Sequence, residues 1–394
     1  MFNRNLYLRA AEDLRGNPGQ WAAYEAAGHC VVLAGPGSGK TKTLTIKLAK
    51  MLSEDVEAPR GLACITYNNE CAKELEQRLQ LLGIEPSRRV FIGTVHSFSL
   101  TQIVLPYAKT ARLGLPDEFK VANQKQQRDS LEDALRRVIG PEDPRRWRDS
   151  MEKYRRAFLD RNDPGWHTND AQLAALVETY EDELRRRCLI DFDDMPLLAV
   201  RALRENEWLQ KALLAKYPVL AVDEYQDLGR ALHSIVMGLC FTTGMRLFAV
   251  GDMDQSIYGF TGANPDLLHR LSERKDVETV RLQLNYRCGS EIVKASSYAL
   301  GEERDYAAPD GAHQGTIYFH PINGSYSQHA DYLFSTVIPA AMNRMPGIGP
   351  GDIAVLYPSA VIGNDVASAA EAHGYQAVRA DTNALYPRSN RMLR

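Results

Sequence analysis

CVVLAGPGSGKTKT, residues 30–43, decides how the rest of the chain is read. The apolar run Cys30–Leu33 predicts a buried parallel strand, and Gly35-Pro36-Gly37-Ser38-Gly39 offers a loop with little side-chain bulk. Lys40, Thr41, Lys42 and Thr43 open a predicted helix running to about Leu52. Strand, glycine loop and a helix beginning Lys-Thr is the context of a phosphate-binding P-loop. Glycines let backbone N–H groups turn inward around phosphate oxygens, and the helix N-terminus adds partial positive charge. In such a loop Lys40 reaches the β- and γ-phosphates and the Thr41 hydroxyl holds Mg²⁺, while Ala34 to Lys42 line the nucleotide. Ala34 stands where the strict pattern has Gly, a small departure. An ordinary glycine-rich turn does not account for Gly-Lys-Thr in this setting.

The chain has 394 residues, enough for two or three domains. Its net charge is −3, so a polyanion would have to be held by a local patch rather than by a field over the whole molecule. The six cysteines, 30, 64, 71, 188, 240 and 288, include no C-x-x-C pair, which argues against a zinc site or a disulfide framework. Scattered thiols, no membrane-length apolar run and no signal-peptide pattern lead to the expectation of a soluble cytoplasmic protein without a membrane partner.

Several predicted strands end in chemistry. Leu62–Thr66 is followed by Tyr67-Asn68-Asn69 and a helix over Glu70–Leu82; Val90–Gly93 is followed by Thr94-Val95-His96-Ser97-Phe98. Carboxyl ends of parallel strands are where open α/β sheets bind ligands. From Pro106 to Leu189 the pattern turns helical, with helices expected at Lys125–Val138, Pro144–Asp160 and Asp170–Cys188. Arginines 145, 146, 148, 155, 156, 185, 186 and 187 cluster there; because Asp and Glu interleave, solvated helix faces are expected rather than phosphate contacts. The sheet resumes at Pro218–Val222, ending in Asp223-Glu224, and at Met245–Val250, ending in a stretch that contains Gln255, Tyr258 and Phe260. Thr279–Leu282 leads to Asn285-Tyr286-Arg287. From 281 a second α/β unit is expected, with strands at Thr316–Phe319, Ile353–Leu356 and Gln376–Arg379.

An apolar strand ending in Asp-Glu, in a chain with a P-loop, supplies the second half of an ATP-hydrolysing site. Asp223 is the candidate Mg²⁺ ligand and Glu224 the group that activates water. Gln255 is suited to sensing the γ-phosphate, and Arg287 to delivering positive charge as an arginine finger once two lobes close. Tyr286 can stack on the base, and the Gln20 amide can read an adenine edge.

Together these stretches resemble the UvrD/Rep-type helicases of superfamily 1. The matching segments, in order, are Gln20, AGPGSGKT, ITYNNECAKEL, GTVHSF, LIDFDD, VDEYQD with VGDMDQSIYGFTGA, and LNYRCGSEI. The resemblance implies a RecA-like P-loop NTPase fold: a parallel α/β sheet with a helical insert, plus a partial second RecA-like lobe. The implied boundaries are 1–105 and 190–280 for the first lobe, 106–189 for the insert and 281–394 for the second. It implies an ATP- and Mg²⁺-dependent translocase moving 3′ to 5′ on single-stranded DNA or at a single-strand/duplex junction. Tyr67, Asn69, Thr94, His96, Tyr258 and Phe260 would line the strand. Aromatic stacking suits that task because every base has a π-face.

The departures from the family pattern are Glu70 and Thr261, where basic residues are common, and Leu232, where Gln is common. Two later family stretches, Thr-x-His-x-x-Lys-Gly and Val-Ala-x-Thr-Arg-Ala, do not occur, so the second lobe is expected to be incomplete. Two alternatives stay open: an ATPase-like module that senses DNA or nucleotide and regulates a partner such as a nuclease, and a small-molecule kinase. The kinase leaves the stretches at 66–69, 94–98 and 258–260 unexplained.

Overall fold

A computed structural model describes residues 4–85, 89–256, 264–300 and 306–379. Tyr258, Phe260 and Thr261 lie outside the described residues.

The core of the first unit is a six-stranded parallel sheet. Its strands are β1 (His29–Ala34), β2 (Leu62–Thr66), β3 (Val90–Thr94), β6 (Val219–Val222), β7 (Arg246–Gly251) and β8 (Val277–Leu282), in the spatial order β3-β2-β6-β7-β1-β8. Two further strands, β4 (Lys120–Val121) and β5 (Leu189–Ile190), pair separately. The four central strands are buried almost throughout and mostly apolar, as expected where helices cover both faces of a parallel sheet.

Successive residues alternate between two cores, as the period of a strand demands. Val31, Leu33, Ile65, Val222 and Ala249 face one; Cys30, Val32, Cys64, Ala221, Phe248 and Val250 face the other. The second core is closed by Leu44 and Leu48 of the helix Lys40–Lys50 and by Leu75 and Leu79 of the helix Asn69–Leu81. Each fully buried aliphatic side chain contributes roughly 1.5–3 kcal/mol. The P-loop helix is therefore anchored by its apolar face while its first turn stays at the sheet edge.

The helical insert rises from the β4–β5 ladder, where Lys120 pairs with Leu189 and Val121 with Ile190. Its main helices are Gln124–Val138, Pro144–Ala157 and Ala171–Arg186, close to expectation. They enclose their own core of Leu131, Leu135, Met151, Trp166, Val177, Tyr180 and Leu184.

The first unit extends further than the expected break at 280. Strand β8 pairs with β1 along its whole length, from His29 opposite Val277 to Ala34 opposite Leu282. The chain after it stays with this unit through hydrogen bonds from Asn285 N to Ala307 O (2.8 Å) and from Glu291 N to Gln314 O (2.8 Å). The compact unit closes at Thr316, and a second begins at Ile317.

In that second unit the helices Tyr326–Tyr332, Ile338–Arg344 and Ala360–Ala372 pack around Phe334, Ile338 and Ala370. The three strands expected at 316–319, 353–356 and 376–379 form no ladder among the described residues. Ile353 and Val355 alternate inward as a strand would, but Phe319, Leu356 and Val378 are 90%, 94% and 91% exposed. Alternation encodes the extended backbone; a sheet also needs a neighbour's N–H and C=O groups alongside, and these stretches do not supply them to one another.

Candidate active site

The phosphate loop leaves β1 at Ala34, which is buried, so its methyl group belongs to the core and replaces Gly without strain. Gly37 and Gly39 adopt φ of +65° and +84°, the left-handed region that favours glycine. The loop is braced from within by Ser38 Oγ donating to Gly35 O at 2.7 Å. It is braced from outside by Gln20 Nε2 donating to Ser38 O at 2.8 Å. Gln20 is buried, so part of the amide assigned to adenine is spent on holding the loop. Lys42 turns outward to Asp13, 3.5 Å away on the surface, and its side chain is not brought to the site.

Lys40 is the hub. Its Nζ donates to Gln255 Oε1 at 3.3 Å and lies 3.5 Å from Glu224 Oε2 and 3.9 Å from Asp252 Oδ2. The side chains come from the ends of β1, β6 and β7, which are neighbours in the sheet. Glu224 takes φ of +49°, uncommon for a residue with a side chain and a local strain typical of functional positions. Its Oε2 accepts from Gln226 Nε2 at 2.8 Å, and the Gln226 carbonyl Oε1 accepts from Asp252 N at 2.9 Å. Gln226 thus ties the acidic turn after β6 to the loop after β7, a role the sequence reading did not assign.

Carboxylates outnumber cations here. Burial, then Glu224, push the Asp223 carboxyl up to about 7 against the opposing pull of Lys40. Burial and Glu224 raise Asp227 to about 6; burial raises Asp252 to about 6 although Lys40 opposes it. Asp227 Oδ1 and Asp252 Oδ2 are buried without a hydrogen-bond partner among the described residues. Groups held this way have unspent capacity for a cation. No group of three or more His, Cys, Asp or Glu among the described residues forms a metal site by itself. That suits Mg²⁺, which takes one or two carboxylates and completes its shell with phosphate oxygens and water.

The turn after β8 packs on the same loop. Tyr286 N donates to Gly37 O at 2.9 Å, and the Tyr286 hydroxyl accepts from Asn17 Nδ2 at 2.9 Å. The ring of Tyr306 lies against Gly35, and its hydroxyl reaches Asp254 Oδ2 at 3.3 Å; the sequence reading passed over this residue. Arg287 follows Tyr286 with an exposed side chain. It belongs to the same compact unit as the P-loop, not to a second lobe facing it, because β8 is a strand of the first sheet.

The other end of the edge is built differently. Thr94 and Thr66 are paired at the ends of β3 and β2. Thr94 caps a short helix by accepting from Ser97 N, so its hydroxyl has a structural task. Tyr67 is half-buried against the first core, and Asn69 is exposed at a helix start. His96 stacks on Phe192 with ring centroids 3.7 Å apart at 21°. Burial and the nearby Arg156 push His96 down to about 4, so it is neutral and presents an aromatic face. Phe192 is 54% exposed, and nothing in LIDFDD alone marks it for a role.

The arginine clusters are not all solvated faces. Arg155 is fully buried and forms ion pairs with Asp191 (2.6 Å), Asp194 (3.0 Å) and Glu181 (3.0 Å). Arg185 pairs with Asp194 at 2.8 Å and Arg156 with Asp193 at 3.0 Å. Burial opposes the charge on Arg155, but the surrounding carboxylates outweigh it. Of the departures, Leu232 is buried in the first core, where an amide would be stranded, and Glu70 lies exposed in the first turn of its helix, where acid complements the helix dipole.

A glycine loop feeding the helix Lys40–Lys50, with Asp-Glu at a neighbouring strand end, defines a P-loop nucleotide-binding domain. The model of the UvrD/REP helicase N-terminal domain matches residues 16–276, and the chain belongs to the UvrD/REP helicase family. It is 32% identical over 301 residues to the ATP-dependent DNA helicase Rep of Escherichia coli, a match covering 73% of this chain and 43% of that protein. The Rep protein of Salmonella typhimurium is 31% identical over the same shares. The ATP-dependent DNA helicase PcrA of Staphylococcus epidermidis is 29% identical over 282 residues, 69% of this chain and 38% of that one. The chain thus spans about two-fifths of the length of the curated relatives it matches. No helix among the described residues is long and apolar enough to cross a membrane.

Proposed function

We propose that this chain carries an ATP-hydrolysing lobe that drives movement along single-stranded DNA, 3′ to 5′, as in a helicase of the UvrD/REP family. The observation that carries the reading is Lys40 Nζ held among Gln255, Glu224 and Asp252 at the mouth of a glycine loop. A triphosphate entering the loop competes for Lys40 and frees the Gln255 amide for the γ-phosphate. Glu224, braced by Gln226, accepts a proton from the attacking water. The Thr41 hydroxyl and the Asp223 carboxylate would hold Mg²⁺, which would supply positive charge to offset that of the phosphates. Tyr286 and Gln20 border the base, and Arg287, exposed in the turn that packs on the loop, is the cation to supply charge as the γ-phosphate leaves.

The His96–Phe192 stack, with its exposed Phe192 ring on the same edge of the sheet, supports a base-stacking track running past Tyr67. The test is phosphate release with and without an oligothymidylate. Stimulation of tenfold or more by the strand is the expected result. Turnover indifferent to the strand would favour the regulatory ATPase, with a nuclease or similar effector as partner.

A further inference from the structure

The turn Asp191-Phe192-Asp193-Asp194 carries three acids and one aromatic, and the insert treats them in opposite ways. Arg155 Nη1 donates to Asp191 Oδ2 at 2.6 Å and Nη2 to Asp194 Oδ1 at 3.0 Å, while Nε donates to Glu181 Oε1 at 3.0 Å. Tyr180 Oη donates to Asp191 Oδ2 at 2.9 Å, and Arg185 donates to both oxygens of Asp194 at 2.8 and 2.9 Å. The turn also closes on itself: Asp191 N donates to Asp194 Oδ2 at 2.9 Å, and Asp194 N to Asp191 Oδ1 at 2.8 Å. Arg156 takes Asp193 at 3.0 Å. With all three carboxylates drawn inward, the one side chain of the turn left outside is Phe192, 54% exposed and stacked on His96.

We propose that Arg155 is a positioning residue for the strand-facing Phe192–His96 pair, setting the stack through Asp191 and Asp194 without touching the strand. The proposal rests on the strand-binding reading above. The charges balance: Arg148, Arg155, Arg156, Arg161 and Arg185 against Glu152, Glu181, Asp191, Asp193 and Asp194. The cluster therefore adds no net pull on phosphates and acts through geometry. Arginine is suited to this because its rigid planar fork spreads separate donors towards three carboxylates, where a compact ammonium would have to serve them all from one atom. Arg155 lies on the helix Pro144–Ala157, while Tyr180 and Arg185 lie on Ala171–Arg186, so the insert determines where the aromatic stands.

The test is a double-mutant cycle on the full chain, reading oligothymidylate affinity by fluorescence anisotropy. Phe192→Ala is expected to weaken binding about tenfold, the scale of one lost base stack. Arg155→Lys is expected to weaken it severalfold, and the double variant to bind no worse than Phe192→Ala alone. Losses that multiply, or Arg155→Lys binding like the parent, overturn the proposal while the strand reading stands. Phe192→Ala binding like the parent overturns the strand reading, and the proposal with it. If circular dichroism shows Arg155→Lys unfolded, Asp191→Asn replaces it in the cycle with the same expected non-additivity.

Discussion

Tyr286 donates its backbone N–H to the Gly37 carbonyl at 2.9 Å, fastening the turn after β8 onto the phosphate loop. The residues proposed to touch the base and the departing phosphate are thus in register with the loop before any nucleotide arrives. Strand β8 makes this possible, since its ladder with β1 aligns the two loop entrances, Ala34 beside Leu282.

Gly37→Ala tests that fastening. A Cβ on Gly37 would lie 2.5 Å from Asn285 Oδ1 and 2.7 Å from Arg287 Cβ, at φ of +65°. Something must shift, and the neighbouring turn is the part that can. We expect a stability loss of about 1–3 kcal/mol in urea unfolding and at least a tenfold loss of nucleotide affinity. Gly16→Ala, with nothing within 4 Å, should be close to neutral in both measurements.

Lys40→Ala leaves Glu224, Asp252 and the Gln255 amide without their shared cation. Phosphate release should fall by at least about a hundredfold, in line with the loss of one charge-stabilising group. Turnover near the parent rate would mean that the glycine loop is not the hydrolytic site.

The pH dependence of stability has a defined sign. Asp223 titrates at about 7 in the folded protein, against ~3.9 in an unfolded chain. Between those values the folded state keeps a proton that the unfolded state has released, so this contribution to stability falls as pH rises from about 4 to about 7 and is flat above. Asp223→Asn should match the parent near pH 4 and exceed it at pH 8. At about 1.4 kcal/mol per unit the gain is on the order of 2–4 kcal/mol. Urea unfolding at the two pH values checks it. Mg²⁺ should bind the parent more tightly as pH rises through the same window and should bind the variant weakly throughout.

Asn17 has two tasks that substitution can separate. Its Oδ1 accepts from Gln20 N at 3.1 Å, capping the helix Pro18–Glu25, and its Nδ2 donates to the Tyr286 hydroxyl at 2.9 Å. Asn17→Ala should cost about 1–2 kcal/mol, the worth of a cap, and lower nucleotide affinity. Tyr286→Phe keeps the cap and removes the hydroxyl that accepts from Asn17 Nδ2, so stability should nearly hold while affinity falls. Parent-like affinity in Tyr286→Phe would show that the bond between Asn17 and Tyr286 does not matter for binding.

What the sequence made legible was local. The glycine loop, the Asp-Glu turn and the polar stretches after β2, β3 and β7 each follow an apolar run, and period and chemistry mark them together. The sheet boundary was less legible, because β8 joins β1 across more than two hundred residues and its polar positions 278, 279 and 281 mark an edge without naming its neighbour. The arginines of the insert misled for a similar reason. Arg155 finds Asp191 and Asp194 at separations of 36 and 39 residues, so counting nearby acids could not show that it is buried. Phe192 carries no signature in the sequence because its exposure depends on where its neighbours are drawn, which only the folded turn displays.

Strand β6, which delivers Asp223, is bonded on one side to β2 and on the other to β7. Neither the phosphate-loop end nor the His96–Phe192 end of the rim can slip lengthwise against the other without shearing those ladders. The sheet is therefore a stiff plate, and on the proposed reading any work extracted from a triphosphate would have to leave through the loops mounted on its edge.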